Sequence, residues 1–206
     1  MPMLPALDPG VEIVVASHGM SKGVSQTEGP QIVSKAYLQR GDIQLGGQWK
    51  NVNSSAASGE AAAFVGFSRK LGTLQLSASA AYKFQTGVIG KADSDSFEFT
   101  GAVSRKFGRV SLKASAVFSP DDLGSAKRSL YLEGGPSLDI GKSLRLSANI
   151  GHRSRVNGPD YTSFNAGASY SIFKGFSADL RYYRTNRAEL GDVYRQRLVI
   201  SGRLAF

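Results

Sequence analysis

The chain has 206 residues, 41% of them hydrophobic, a balance that supports one folded domain and excludes wholesale disorder. It has no cysteine, which excludes disulfides and thiolate metal sites, and its longest apolar stretches, such as 61–67, fall far short of the ~20 residues of a membrane-spanning helix. A formal charge of +9, from 25 lysines and arginines against 16 carboxylates, raises nucleic acid as a partner until the direction of the basic side chains is settled.

The opening, "MPMLPALDPG", lacks the basic region and apolar run of a signal peptide, and it reads as a mature start with an added Met1. Residues 1–10 are therefore taken as an N-terminal segment and 11–206 as a single domain. From there period-two alternation recurs almost everywhere and helical spacing nowhere. Leu74, Leu76, Ala78, Ala80 and Tyr82 alternate with Gln75, Ser77, Ser79 and Lys83. Val110, Leu112, Ala114, Ala116 and Phe118 alternate with Ser111, Lys113 and Ser115, and Leu144, Leu146, Ala148 and Ile150 with Arg145, Ser147 and Asn149. The same rhythm runs through Phe164–Ile172, through Phe176–Tyr182, and through Leu198, Ile200, Gly202, Leu204 and Phe206 against Arg195, Arg197, Ser201 and Arg203. Each segment is a two-faced strand.

The connections follow a slower rhythm. Short glycine turns at 39–42, 70–73, 106–109, 139–143 and 173–176 alternate with longer polar stretches at 25–30, 51–60, 85–95, 119–128, 155–160 and 185–192. Counting hairpins gives about twelve antiparallel strands, with both termini on the short-turn side. Short periplasmic turns and longer external loops are the pattern of bacterial outer-membrane barrels. The expectation is an all-β, closed, antiparallel up-and-down transmembrane β-barrel of about twelve strands, in the outer membrane with both termini periplasmic.

Strand number decides which face points outward. About eight strands enclose a lumen that side chains just fill, so a barrel of twelve needs bulky inward residues or holds water. The apolar faces are rich in alanine and glycine, too small to fill a wide interior, whereas the opposite faces carry Ser, Gln, Asn and charge. An arginine at the bilayer midplane costs ~2–4 kcal/mol on the lipid face, so Arg197 and Arg203 belong inside. Trp49, Tyr82, Phe84, Phe97, Phe107, Phe118, Tyr170, Phe176 and Tyr194 fit aromatic girdles at the strand ends. The terminal Phe206, with Leu204 two positions before it, resembles the C-terminal signal read by the outer-membrane barrel assembly machinery, which that resemblance implies as a partner in biogenesis.

The stretch "SHGMSKGVSQTEGPQ", followed by "GDIQLGGQWKNV" and then Glu60 and Gly66, resembles a bacterial outer-membrane family of unassigned function called TorF. The match covers roughly Ser17–Gly66 and the strand rhythm beyond it; Lys22 stands where the family has arginine and Ile43 where it has an aromatic. The resemblance implies an outer-membrane barrel and leaves its solute open.

On the polar faces, Lys83, Lys113, Glu133, Arg145, Asp179, Arg181, Arg195, Arg197 and Arg203 are the expected pore-lining residues. Basic residues predominate, which favours small anionic or zwitterionic solutes passing through a narrow lumen. The competing expectation is that carboxylates and guanidinium groups pair across strands and plug the interior, leaving a scaffold or adhesion barrel that acts through its loops. A third reading places an activated nucleophile at "GHRSR", where His152 and Ser154 share the lipid-side face and Asp160 follows across a loop. That spacing is similar to the lipid A deacylase barrels, which would make the protein a lipid-modifying esterase. His18 has no partner pattern for a metal site, and "GEAAAFVGF" lacks the strand–loop–helix setting of a phosphate loop, so no cofactor is expected. The spread of basic residues through alternating strands argues against nucleic acid. Lys22, Lys91, Lys127, Arg128 and Arg187, in the longer connections, are placed to meet lipopolysaccharide phosphates.

Overall fold

A computed structural model describes residues 6–53, 57–88, 94–123 and 126–206. The chain enters as β1 (Asp8–Ala16) and passes through a small hairpin of β2 (Met20–Ser21) and β3 (Val24–Ser25). It then runs up and down as β4 (Gln31–Arg40), β5 (Ile43–Asn51), β6 (Gly59–Leu71), β7 (Leu74–Thr86), β8 (Asp95–Phe107) and β9 (Val110–Ser119). The second half is β10 (Ser129–Ile140), β11 (Leu144–Arg155), β12 (Tyr161–Phe173), β13 (Phe176–Thr185) and β14 (Arg197–Ala205), with two single turns of 3-10 helix ahead of β14.

Except for the β2–β3 hairpin, the strands form one closed barrel in which every neighbour is antiparallel and sequential, β14 returning to β1 with Ile13 opposite Leu204. The twelve-stranded, closed antiparallel barrel is the architecture expected from the hairpin count. Each of the five short turns carries a glycine at positive φ, Gly41, Gly72, Gly108, Gly141 and Gly175, where a side chain would be strained. The C-terminus completes the seam, because Phe206 donates to the Val11 carbonyl at 3.0 Å and accepts from the Val11 amide at 3.3 Å.

Closure leaves no sheet edge, so no row of backbone donors and acceptors faces hydrocarbon. The apolar face is outside. Leu198 and Ile200 are 63% and 61% exposed while Val199 between them is 6% exposed. What is buried is mostly polar, including Gln31, Lys50, Glu60, Ser129, Arg153 and Asn165. The aromatic residues sort into two outward belts. Trp49, Tyr82, Phe84, Phe97 and Phe118 lie towards the long-loop end, with the Tyr82 and Phe97 rings 5.0 Å apart; Phe107, Tyr170, Phe173 and Phe176 lie towards the short-turn end. Tyr194 departs from the expected girdle. It lies in the last long connection, 9% exposed, its ring edge-on to Tyr161 at 5.4 Å, because that connection folds over the barrel mouth instead of continuing the strand.

The two faces of β14 give opposite tolerances. Ile200→Arg is expected to destabilise the folded barrel by ~2–4 kcal/mol, whereas Ser201→Arg, one residue on and facing the lumen, is expected to cost far less. Urea unfolding in phospholipid vesicles reads both.

Candidate pore and the hairpin that crosses it

The first long connection, 17–30, does not stand clear of the barrel. Its β2–β3 hairpin turns at Lys22 (φ 49°) and Gly23 (φ 82°), two successive positive-φ residues as in a tight hairpin turn whose twist matches the strands. Local bonds stiffen its base: Gly19 donates to Thr27 Oγ1 at 2.7 Å and Ser25 Oγ to the Thr27 carbonyl at 2.8 Å. The tip reaches β12, three places round the wall from β1, and β8, four places from β4 on the other side. There Tyr161 donates its hydroxyl hydrogen to the Lys22 carbonyl at 2.8 Å, Lys22 Nζ meets Glu98 Oε2 at 2.6 Å, and the Ser163 side chain packs against Gly23. The hairpin therefore spans the lumen near its long-loop end as a constriction.

Lys22, expected among the surface cations, is half of this latch. Burial, only partly offset by Glu98, holds its ammonium pKa below the usual lysine value. The ion pair extends along the wall as a ladder. Lys83 bridges Glu98 at 3.4 Å and Glu60 at 3.2 Å, Lys50 meets Glu60 at 3.1 Å, and Lys50 Nζ returns to the loop by donating to Gln26 Oε1 at 2.8 Å. A second cluster holds the connection after β9: Asp122 pairs with Arg153 and accepts from Ser129 Oγ at 2.7 Å. Burial pushes the Asp122 carboxyl up, but Lys22, Arg153 and Ser129 together hold it below the usual aspartate range.

The rest of the lumen is also an ionic and amide network. Asp139 takes Arg145 at 2.6 Å and Lys106 at 2.8 Å, Asp179 takes Arg181 at 3.0 Å, and Arg203 meets Glu12 at 2.5 Å. Arg181 also donates to Asn165 Oδ1 at 2.9 Å, and Asn165 in turn to Glu133 Oε1 at 3.0 Å. Lys83, Lys113, Glu133, Arg145, Asp179, Arg181 and Arg203 thus all stand on the inward parity of their strands. Arg197 opens β14 on the same parity, paired with Asp192. Arg195 lies elsewhere: it sits in the connection ahead of β14, 65% exposed and 3.7 Å from Asp192, because the wall strand begins two residues later than alternation alone suggests. Leu204 and Phe206 lie along the closing seam as described.

Space remains below the hairpin. A cavity of about 480 Å³ is bounded by β4–β8 under Ser21, one of about 320 Å³ by β10–β13 under Lys22 and Gly23, and one of about 630 Å³ opens at the short-turn end beside Asp139, Arg145 and Arg203. Among the described residues no group of three His, Asp or Glu is placed to hold a metal.

His152 and Ser154 fall on the outward face of β11, but the parts of an activated nucleophile are not assembled. His152 Nδ1 pairs with Thr162 Oγ1 at 3.0 Å, and Asp160 Oδ1 accepts from the Arg155 backbone amide at 2.8 Å. Of the other cations assigned to the outer loops, Lys127 pairs with Asp121 at 3.3 Å and Arg187 with Glu189 at 2.6 Å, Arg128 is exposed, and Lys91 lies outside the described residues. The crossing hairpin escaped the sequence reading. Its one local signal is "SKGV", a two-residue turn between short β-prone pairs, and nothing local says that it points inward.

Loosening the latch is expected to widen the path. Tyr161→Phe removes one bond to the hairpin and Glu98→Gln weakens the Lys22 pair, a charge-assisted contact worth ~1.5–3 kcal/mol, so both variants should raise mean conductance over the unaltered protein in planar bilayers. Acid acts on the other cluster. The folded Asp122 titrates below its unfolded value, so its contribution to stability is present above the ordinary aspartate pKa of ~3.9 and is lost as pH falls through the lower, folded value. Amide exchange at Asp122 and Leu123, corrected for the intrinsic rate, should therefore become less protected at acid pH while the mid-strand amides of β11 stay protected.

Residues 16–189 match the sequence model of the Gram-negative porin family. No curated protein matches the chain. Several solved barrels share the fold. The KdgM porin in complex with disordered oligogalacturonate aligns with a TM-score of 0.66 at 9% identity, covering 96% of this chain and 99% of that one. The NanC porin aligns at 0.62 and 10% identity, covering 95% and 97%. An outer membrane channel from Pseudomonas putida F1 aligns at 0.56 and 14% identity, covering 100% and 96%. With the family model spanning most of its length and a closed twelve-stranded barrel turned apolar face outward, the chain belongs to the Gram-negative porins, barrels of the outer membrane.

Proposed function

We propose that the barrel passes small anionic or zwitterionic solutes through a lumen narrowed by its first loop, with both termini on the periplasmic side. The observation that carries this reading is the imbalance inside the ion-pair clusters. Lys22, Lys50 and Lys83 share Glu60 and Glu98, and Lys106 and Arg145 share Asp139, so each of these two clusters keeps one positive charge in excess, while Asp122–Arg153, Asp179–Arg181 and Glu12–Arg203 are balanced. Such walls replace part of an anion's hydration shell, while the interleaved carboxylates keep binding shallow enough for release. The KdgM neighbour, which forms a complex with the polyanion oligogalacturonate, supports an anionic solute by analogy. The TorF-like motifs of 17–66 fall on the crossing hairpin and the strands around it, which makes the constriction the feature that this resemblance would share. Lipopolysaccharide remains a proposed contact of Arg128 at the outer rim, and the barrel assembly machinery a proposed partner of the Phe206 terminus.

A second reading, a closed barrel acting through its loops, draws support from the same hairpin. One experiment separates them. Single-channel recording in a planar bilayer under a salt gradient is expected to show discrete steps whose reversal potential favours anions, with the preference reduced in Arg145→Ala. Silence, or selectivity for cations, would remove the anion-channel reading, and silence would favour the closed barrel. Catalysis is tested apart from both: lipid A from cells expressing His152→Ala is expected to be indistinguishable by mass from that of cells expressing the unaltered protein.

A further inference from the structure

The lumen cations described above have carboxylates within 4 Å, but among the described residues Lys35 and Lys113 have none. Lys35, on β4, is held in a different way. Its Nζ donates to Gln44 Oε1 at 3.1 Å and stands 5.1 Å from the centre of the Tyr37 ring and 4.7 Å from that of Phe64. Both rings lie flat against the wall because glycines make room for them: a Cβ on Gly10 would collide with the Tyr37 ring, and one on Gly46 with Phe64. Two rings and an amide orient an ammonium group without neutralising it, since a ring quadrupole carries no net charge. An ammonium has three N–H donors, so the single bond to Gln44 leaves donor capacity towards the cavity of about 480 Å³ that Lys35 lines.

That cavity has the character of a solute site. Its roof is the crossing hairpin at Ser21, its lining supplies side-chain amides at Gln44 and Gln48 and hydroxyls at Ser79 and Thr100, and Phe64 contributes an apolar face. Of the carboxylates in its lining, Glu60 and Glu98 are shared among three lysines and Asp42 faces Arg69 at 3.8 Å, while Glu12, opposite Lys35 on β1, is taken by Arg203, so none lies within 4 Å of Lys35. We infer that this cavity is a binding subsite for a small hydroxylated monocarboxylate, its carboxylate seated on Lys35 Nζ and its hydroxyls on the amide and hydroxyl lining. Lys35 has no carboxylate within 4 Å to displace, so a solute anion meets less competition there than at Lys83 or Arg145, each of which has a resident partner. The subsite rests on the anion-passing reading for its access route and stands apart from it as a matter of binding.

The test is calorimetric titration of sodium gluconate into the full barrel, folded in detergent and compared with sodium chloride at equal ionic strength. Heat-modifiable gel migration serves as the check that each variant is folded. Binding is expected in the unaltered protein, at least about fivefold weaker in Lys35→Gln, the worth of one unit charge at ~4 Å in water, and little changed in Lys113→Gln. No binding to the unaltered protein, binding insensitive to Lys35→Gln, or an equal loss in Lys113→Gln would overturn the subsite. Conductance is read separately: a silent barrel that still binds gluconate through Lys35 would sink the channel and leave the subsite standing.

Discussion

In hydrocarbon an unpaired backbone amide has no water to turn to, and that constraint governs this protein. A sheet meets it only by closing, and here the closure depends on a seam between β1 and β14 that runs to the last residue, Phe206 paired with Val11. Once the sheet is closed, the two-residue period of a strand assigns every side chain to lipid or lumen. A slip of one residue at the seam would turn Arg203 out towards lipid and Leu204 in.

The lumen inherits the charges that the lipid face rejects. In a confined, partly wet interior, separate charges are poorly solvated, so they settle into shared pairs: one aspartate between Arg145 and Lys106, two glutamates among three lysines. Pairing stiffens the wall and removes most of the field that unpaired basic residues would project. It also changes which residues matter to a passing solute. The arginines that dominate the sequence of β14 are engaged, Arg197 with Asp192 and Arg203 with Glu12, while a less conspicuous lysine held by two rings keeps its charge available.

The same network carries the constriction. The hairpin 20–25 has no apolar core of its own; it is held across the lumen by a carbonyl that accepts from Tyr161, an ammonium on Glu98, and the Lys50–Gln26 bond. These contacts are polar and few, which suits a segment that narrows a path without sealing it, because cavities persist beneath it on both sides. Stability of the wall and width of the path thus draw on one set of ion pairs, and a charge change at Glu98 touches both.

The sequence by itself determined the barrel: period-two alternation, the alternation of short glycine turns with long polar loops, the strand count and the outward apolar face are all local or additive properties, and a closed sheet in lipid admits one arrangement of them. It also placed Lys83, Glu133, Arg145, Asp179, Arg181 and Arg203 on the lumen side, since parity within a strand needs no knowledge of its neighbours. Only the tertiary structure decided the direction of the first loop, the pairing of Asp122 with Arg153, the burial of Tyr194 against Tyr161, and the engagement of Glu12 by Arg203 instead of by Lys35 opposite it. The physical reason is range. Which face a strand residue takes follows from a two-residue period, whereas which charges meet depends on the tilt and closure of elements far apart in the chain, 76 residues for Lys22 and Glu98 and 191 for Glu12 and Arg203.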